Sequence, residues 1–144
     1  YHETHRTFPP GVVTANDNVQ DALHNGLVML LPQIEQQNIY NNYFFDQPWS
    51  SPANIAVANV RIPAFACPDA GAAVPQNERL AAEIAGTDYA FSKGPNAFLC
   101  LQGVGGGMFD INSSVRLADI TDGSTNTFAM GEAASRVSLT AEAT

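Results

Sequence analysis

Residues 106–134 read GGMFDINSSVRLADITDGSTNTFAMGEAA, and the reading of this stretch decides the fold. Two apolar, strand-like runs, Met108–Ile111 and Thr127–Met130, flank a polar centre from Asp119 to Asn126. Asp-Gly followed by Ser-Thr-Asn is turn chemistry: Gly takes positive φ without a Cβ clash, and the short polar side chains bond nearby backbone groups. The pattern predicts an extended segment, a tight polar turn and a second extended segment. It also concentrates oxygen donors, namely Asp110, Asp119, Asp122, Asn126 and Glu132. Calcium takes roughly six to eight oxygens, so Asp119, Asp122 and Asn126 are candidate calcium ligands. Their spacing departs from the EF-hand register, and the competing reading is hydrogen bonding within the turn itself.

Upstream, Gly103-Val104-Gly105-Gly106-Gly107 invites comparison with a phosphate-cradling loop. Such a loop feeds a helix N-terminus, whereas Met108-Phe109-Asp110-Ile111 is strand-like, so a hairpin turn is expected. Tyr89 and Phe91 alternate with Ala90 and Ser92, which predicts a half-buried strand. Leu80, Ala82 and Ile84 alternate like a strand although Leu80 and Ile84 also suit a helix turn, and residues 68–77 are small and polar, predicting a surface loop. Cys67 and Cys100 stand 33 positions apart with no metal-ligand spacing. They are expected to pair as a disulfide, worth roughly 3–4 kcal/mol on the chain-entropy model; two separate buried thiols are the alternative.

In the first half, Phe8-Pro9-Pro10-Gly11 halts any helix begun at Tyr1–Thr7. His2 and His5 would share a face of that helix and, with Glu3, could hold a metal, but at a frayed terminus with no third ligand evident solvated histidines are the expected reading. Asp17 with Gln20 three positions later reads as a capping box. Val19, Leu23, Leu27, Leu30 and Ile34 then form one helical stripe, broken or kinked at Pro32. On such a helix His24 sits at the surface or between helices, and it is the histidine a hydrolase would have to use. Glu35 as a general acid would need an apolar pocket and a second group. Tyr40, Tyr43, Phe44, Phe45 and Trp49 cluster within ten positions. They predict a satellite core beneath a loop, or a stacking platform for sugars. Ser51-Pro52 is a cap followed by proline at the first helical position, and Pro63–Cys67 should be extended.

Composition narrows the function classes. The chain has 144 residues, enough for one domain with a real core. Its net charge is −8 and its pI about 4.5. Arg6, Arg61, Arg79, Arg116, Arg136 and the single Lys93 are scattered, so no basic patch exists to displace counterions, and nucleic-acid binding is disfavoured. No run approaches the roughly 20 apolar residues of a membrane span. Charged residues make up 14%, low against a typical share of about 25%, so much of the surface falls to neutral polar and small residues. The start at Tyr1 predicts a mature or trimmed product.

Four pieces, YHETHRTFPPG (1–11), LLPQIEQQNIYN (30–41), FACPD (65–69) with TDYAFSKG (87–94), and NSSVRLADITDGSTNTFAMGE (112–132), together resemble the DUF1559 family of planctomycete-type envelope proteins. The resemblance implies a prepilin-type, pilin-like α+β domain spanning 1–144, with N-terminal helices packed on an antiparallel β-sheet. It further implies a long hydrophobic N-terminal helix upstream of the landmark Phe8-Pro9-Pro10-Gly11, through which alone a membrane would be met. A second motif found further on in many members is missing before Thr144. The expected role is an extracytoplasmic, cell-surface or secreted structural subunit that assembles with itself or with envelope partners into a filament. A surface module binding glycan or calcium is the alternative. No catalytic residue and no cofactor other than calcium is expected.

Overall fold

A computed structural model describes residues 1–17, 21–70, 76–77, 82–83, 85–94 and 107–132. The described elements are short. Helix α1 spans His2–His5 and stops where Arg6 takes the left-handed conformation at φ 63°. Phe8-Pro9-Pro10 then carries the chain in extended form to strand β1, Val12–Thr14, as the double proline predicts. Strand β2, Ala22–Asn25, pairs antiparallel with β1, setting Val13 opposite His24, with an irregularity between Val13 and Thr14.

This is the main departure from expectation. Residues 22–25 lie within the predicted helix, yet they are extended, and the helix starts later. Asn25 is the actual cap: its Oδ1 accepts from the backbone N–H groups of Leu27 at 3.1 Å and Val28 at 3.3 Å. Helix α2, Gly26–Met29, follows. A 3₁₀ turn over Leu31–Ile34 holds Pro32 in its first turn, so the predicted break falls where proline dictates. Glu35, at φ 62°, ends that turn and leads into α3, Gln37–Asn41. The β-branched Val12 and Val13 offer β2 a ladder, and tertiary pairing overrides weak helix propensity.

Helix α4, Pro52–Ala58, forms as its sequence predicts, with Ser51 Oγ accepting from the Asn54 N–H at 3.3 Å. Pro63–Phe65 is a 3₁₀ turn rather than extended chain. Strands β3, Gln76–Asn77, and β4, Ala82–Glu83, make a minimal antiparallel pair. Strand β5, Tyr89–Phe91, pairs antiparallel with β6, Met130–Glu132. The hairpin expected between Met108–Ile111 and Thr127–Met130 is therefore not formed: the later run partners β5. Met108, Phe109 and Ile111 are nonetheless core, at 7%, 4% and 3% exposure. Ile111 bridges Val12, and Phe109 stacks on Phe91 with ring centroids 4.2 Å apart. The described strands thus form three two-stranded ladders, not one sheet, in a mixed α and β fold. A second apolar cluster, Leu27, Leu31, Ile39 and Tyr43, lies under α2 and α3.

Candidate functional site

The segment 107–132 spends its polar groups on the fold. Lys93 Nζ meets Asp110 Oδ1 at 3.1 Å, both side chains almost wholly buried. The Asp110 carboxylate also accepts from the Ile111 N–H, at 2.7 Å, which is the company a buried charge needs. A side chain at Gly107 would overlap the Lys93 carbonyl, so only glycine admits this close approach. Asn112 ties the segment to β1: its Oδ1 accepts from the Thr14 N–H at 3.0 Å and its Nδ2 donates to Thr14 Oγ1 at 3.2 Å.

Among the predicted calcium ligands, Asp119 and Asn126 are engaged in local hydrogen bonds. Asp119 is gripped by Arg116, whose Nη2 and Nε donate to its two oxygens at 2.8 Å and 3.0 Å, while the Arg116 N–H donates at 2.9 Å. The side-chain and backbone hydrogen bonds from Arg116 bring the Asp119 carboxyl down to about 2. Asn126 Nδ2 donates to the Asp122 carbonyl at 3.2 Å, a bond within the turn. Asp122 and Glu132 are exposed. Among the described residues no group of three or more His, Cys, Asp or Glu is placed to hold a metal. His2 accepts from the Leu117 N–H at 3.3 Å and packs on Phe8, while His5 stacks on Tyr1. His2 thus seats α1 against Leu117 and Phe8, while the His5 contact stays within the helix and its cap. Glu35 is exposed.

Cys67 is half-buried, with its N–H donating to Asp88 Oδ2 at 2.9 Å. Cys100 and Gly103–Gly106 lie outside the described residues, so the disulfide and the glycine loop cannot be placed.

The aromatic cluster is core only in part: Tyr43 is buried, Tyr40, Phe45 and Trp49 are half-buried, and Phe44 is exposed. Tyr40, Tyr43 and Phe45 pack ring against ring. Asn54, fully buried, organises their loop: it accepts from the Phe44 N–H and donates to the carbonyls of Phe44, Gln47 and Pro48. Beside this loop opens an apolar cleft of about 440 Å³, bounded by β2, α2, α4 and the 62–65 turn. Leu27, Leu31, Trp49, Val57 and Phe65 line it, together with the polar residues His24, Asn25, Tyr43 and Thr87.

His24 is 6% exposed, and neither ring nitrogen has a hydrogen-bond partner. Phe45 and Tyr43 meet it edge to face, with centroids at 5.0 Å and 6.1 Å. Burial pushes its pKa below the usual imidazole value, so the ring is held neutral. Tyr43 donates its hydroxyl to the Leu23 carbonyl at 2.7 Å, and burial raises its pKa to about 12. No hydroxyl or carboxylate bonds His24, so no triad is assembled there. The strand that buries His24 was hidden by the helical stripe; the only sequence signal for a strand was the facing Val12-Val13 pair.

A model of the family described as protein of unknown function, DUF1559, matches residues 1–143. The chain belongs to the DUF1559 family. No curated protein and no solved structure matches it. For this DUF1559 chain the landmarks are thus mutual contacts: TDYAFSKG supplies Lys93 to the Asp110 of the 106–134 stretch, and YHETHRTFPPG supplies His2 to Leu117.

Proposed function

We propose that the protein is an extracytoplasmic, pilin-like structural subunit that acts by contact with copies of itself or with envelope partners. The carrying observation is the division of labour within 107–132. Polar groups such as Asp110 and Asn112 bond inward and Asp119 is held by Arg116 at the surface, while Leu117 and Phe128 are left 50% and 85% exposed. A bare phenylalanine on a rigidly braced segment suits a contact surface. Family membership and the low content of charge support the same reading.

Light scattering over a concentration series tests it. Association that weakens in Phe128→Ser, and filaments of the full-length protein in the microscope, are the expected results. A monomer at every concentration and no filaments would overturn the reading. A Cys67–Cys100 disulfide belongs to the same proposal. Denatured, unreduced protein should then show no reactive thiol at these positions, and two reactive thiols would remove it.

A further inference from the structure

Among the described residues Phe128 is the most exposed large apolar side chain, at 85%. It sits in a stretch without charge, Gly123 to Gly131, in a chain whose net charge is −8. The cleft bounded by β2, α2, α4 and the 62–65 turn is the matching hollow. Its volume is about 440 Å³, and no Asp, Glu, Lys or Arg is among the described residues that line it. Its polar side chains are occupied within the chain or closed off. Asn25 Oδ1 caps α2, the Tyr43 hydroxyl donates to the Leu23 carbonyl, Thr87 Oγ1 donates to the Tyr89 carbonyl, and both His24 nitrogens are buried. An apolar ring entering the cleft need break none of these bonds and meets no charge.

Knob and cleft lie apart on one molecule. Strand β6 sets Met130 opposite Phe91, so Phe128 lies beyond the C-terminal end of β5, whereas the cleft takes Thr87, ahead of that strand's start. We propose that the Phe128 ring of one copy docks in this cleft of the next. The docking rests on the self-associating role proposed above and gives it two surfaces. Because two different patches meet, the contact is heterologous: each end of the array keeps a free knob or a free cleft, and the array grows. Charge favours the same choice, since repulsion between copies of an acidic chain is least where both faces are neutral. One phenylalanine buries roughly 150–250 Å², against roughly 1,200 Å² for a stable pair. Each contact is therefore weak, and association belongs at high protein concentration.

A photo-crosslinker, p-benzoylphenylalanine, placed at position 128 tests the contact at a site that packing does not use. Irradiated where the unaltered protein associates, it should join cleft residues such as Trp49, Val57 or Phe65 of a second copy, as located by mass spectrometry. Two variants then divide the contact: Phe128→Ser removes the knob and Ala58→Phe fills the cleft. Each alone should associate roughly ten- to a hundredfold more weakly, the scale of one buried ring. Mixed, they should form a 1:1 pair that grows no further, because one knob and one cleft remain. The cross-link decides the matter whether or not Ala58→Phe folds. Cross-links confined to residues 107–132 of the second copy, or a folded Ala58→Phe that associates like the unaltered protein, would overturn the docking and leave the structural role standing. A monomer at every concentration would overturn both. A small apolar molecule carried in the cleft, seen as added mass in native spectrometry, would overturn the docking alone.

Discussion

The loop over residues 44–54 and the cleft next to it each bury a strongly polar side chain, under opposite terms. Around Asn54 the backbone bends until its carbonyls and an N–H all reach one amide group. Around His24 the neighbours are ring edges and aliphatic groups, and both nitrogens go unanswered. The first arrangement converts polarity into rigidity. The second keeps polarity in reserve at a site with room beside it. The 107–132 segment follows the Asn54 pattern, which is why its polar residues read as scaffold.

Substitutions should separate the two kinds of site, beginning with the buried ion pair. Lys93→Met leaves Asp110 charged and buried without its cation, and should destabilise by about 3–5 kcal/mol in denaturant melts. Adding Asp110→Leu to it should recover much of that loss. Asn54→Ala strands several backbone groups and should cost about 1–3 kcal/mol. His24→Leu should move the other way, raising stability by about 1 kcal/mol, because it removes unanswered polar atoms from an apolar site. A loss comparable to that of Asn54→Ala would break the contrast.

Acid sharpens it further. The His24 pKa is lowered on folding, so between its folded value and the ordinary 6.5 the unfolded chain binds more protons. Its contribution is present above about 6.5 and is lost as pH falls. Melting curves of His24→Leu should lack that decline. Asp119 acts in a separate window: its stabilisation is present above 3.8 and fades as pH falls toward about 2. Asp119→Asn should remove it with the smallest effect of the series, weakening further in salt because the pair with Arg116 is exposed. Chelator should leave the melting midpoint unchanged, since Asp119 is engaged by Arg116; a fall would restore calcium as a ligand of Asp119, Asp122 and Asn126.

What the sequence made legible was local. Ser51-Pro52 announces α4 and Tyr89–Phe91 alternates as β5, because capping and pleat periodicity act within a few residues; α1 ends earlier than Phe8-Pro9-Pro10-Gly11, at the left-handed Arg6. Long-range partners were hidden. Leu23 fits a helical stripe with His24 beside it, and only β1, eleven positions earlier in the Val13–His24 pairing, turns them into strand. Met108–Ile111 was rightly apolar yet became core beside Phe91 and not a hairpin arm. The Arg116–Asp119 clamp is legible at three-residue spacing, since oppositely charged residues so placed can meet on one turn. Lys93 and Asp110 carry no local sign of one another.

The most direct test is the ¹⁵N NMR titration of the His24 ring. A ring held neutral, with neither nitrogen showing the shift of a strong hydrogen bond and no titration near 6.5, is the predicted result. Ordinary titration at about 6.5, or a nitrogen already bonded to a carboxylate or hydroxyl, would contradict the account.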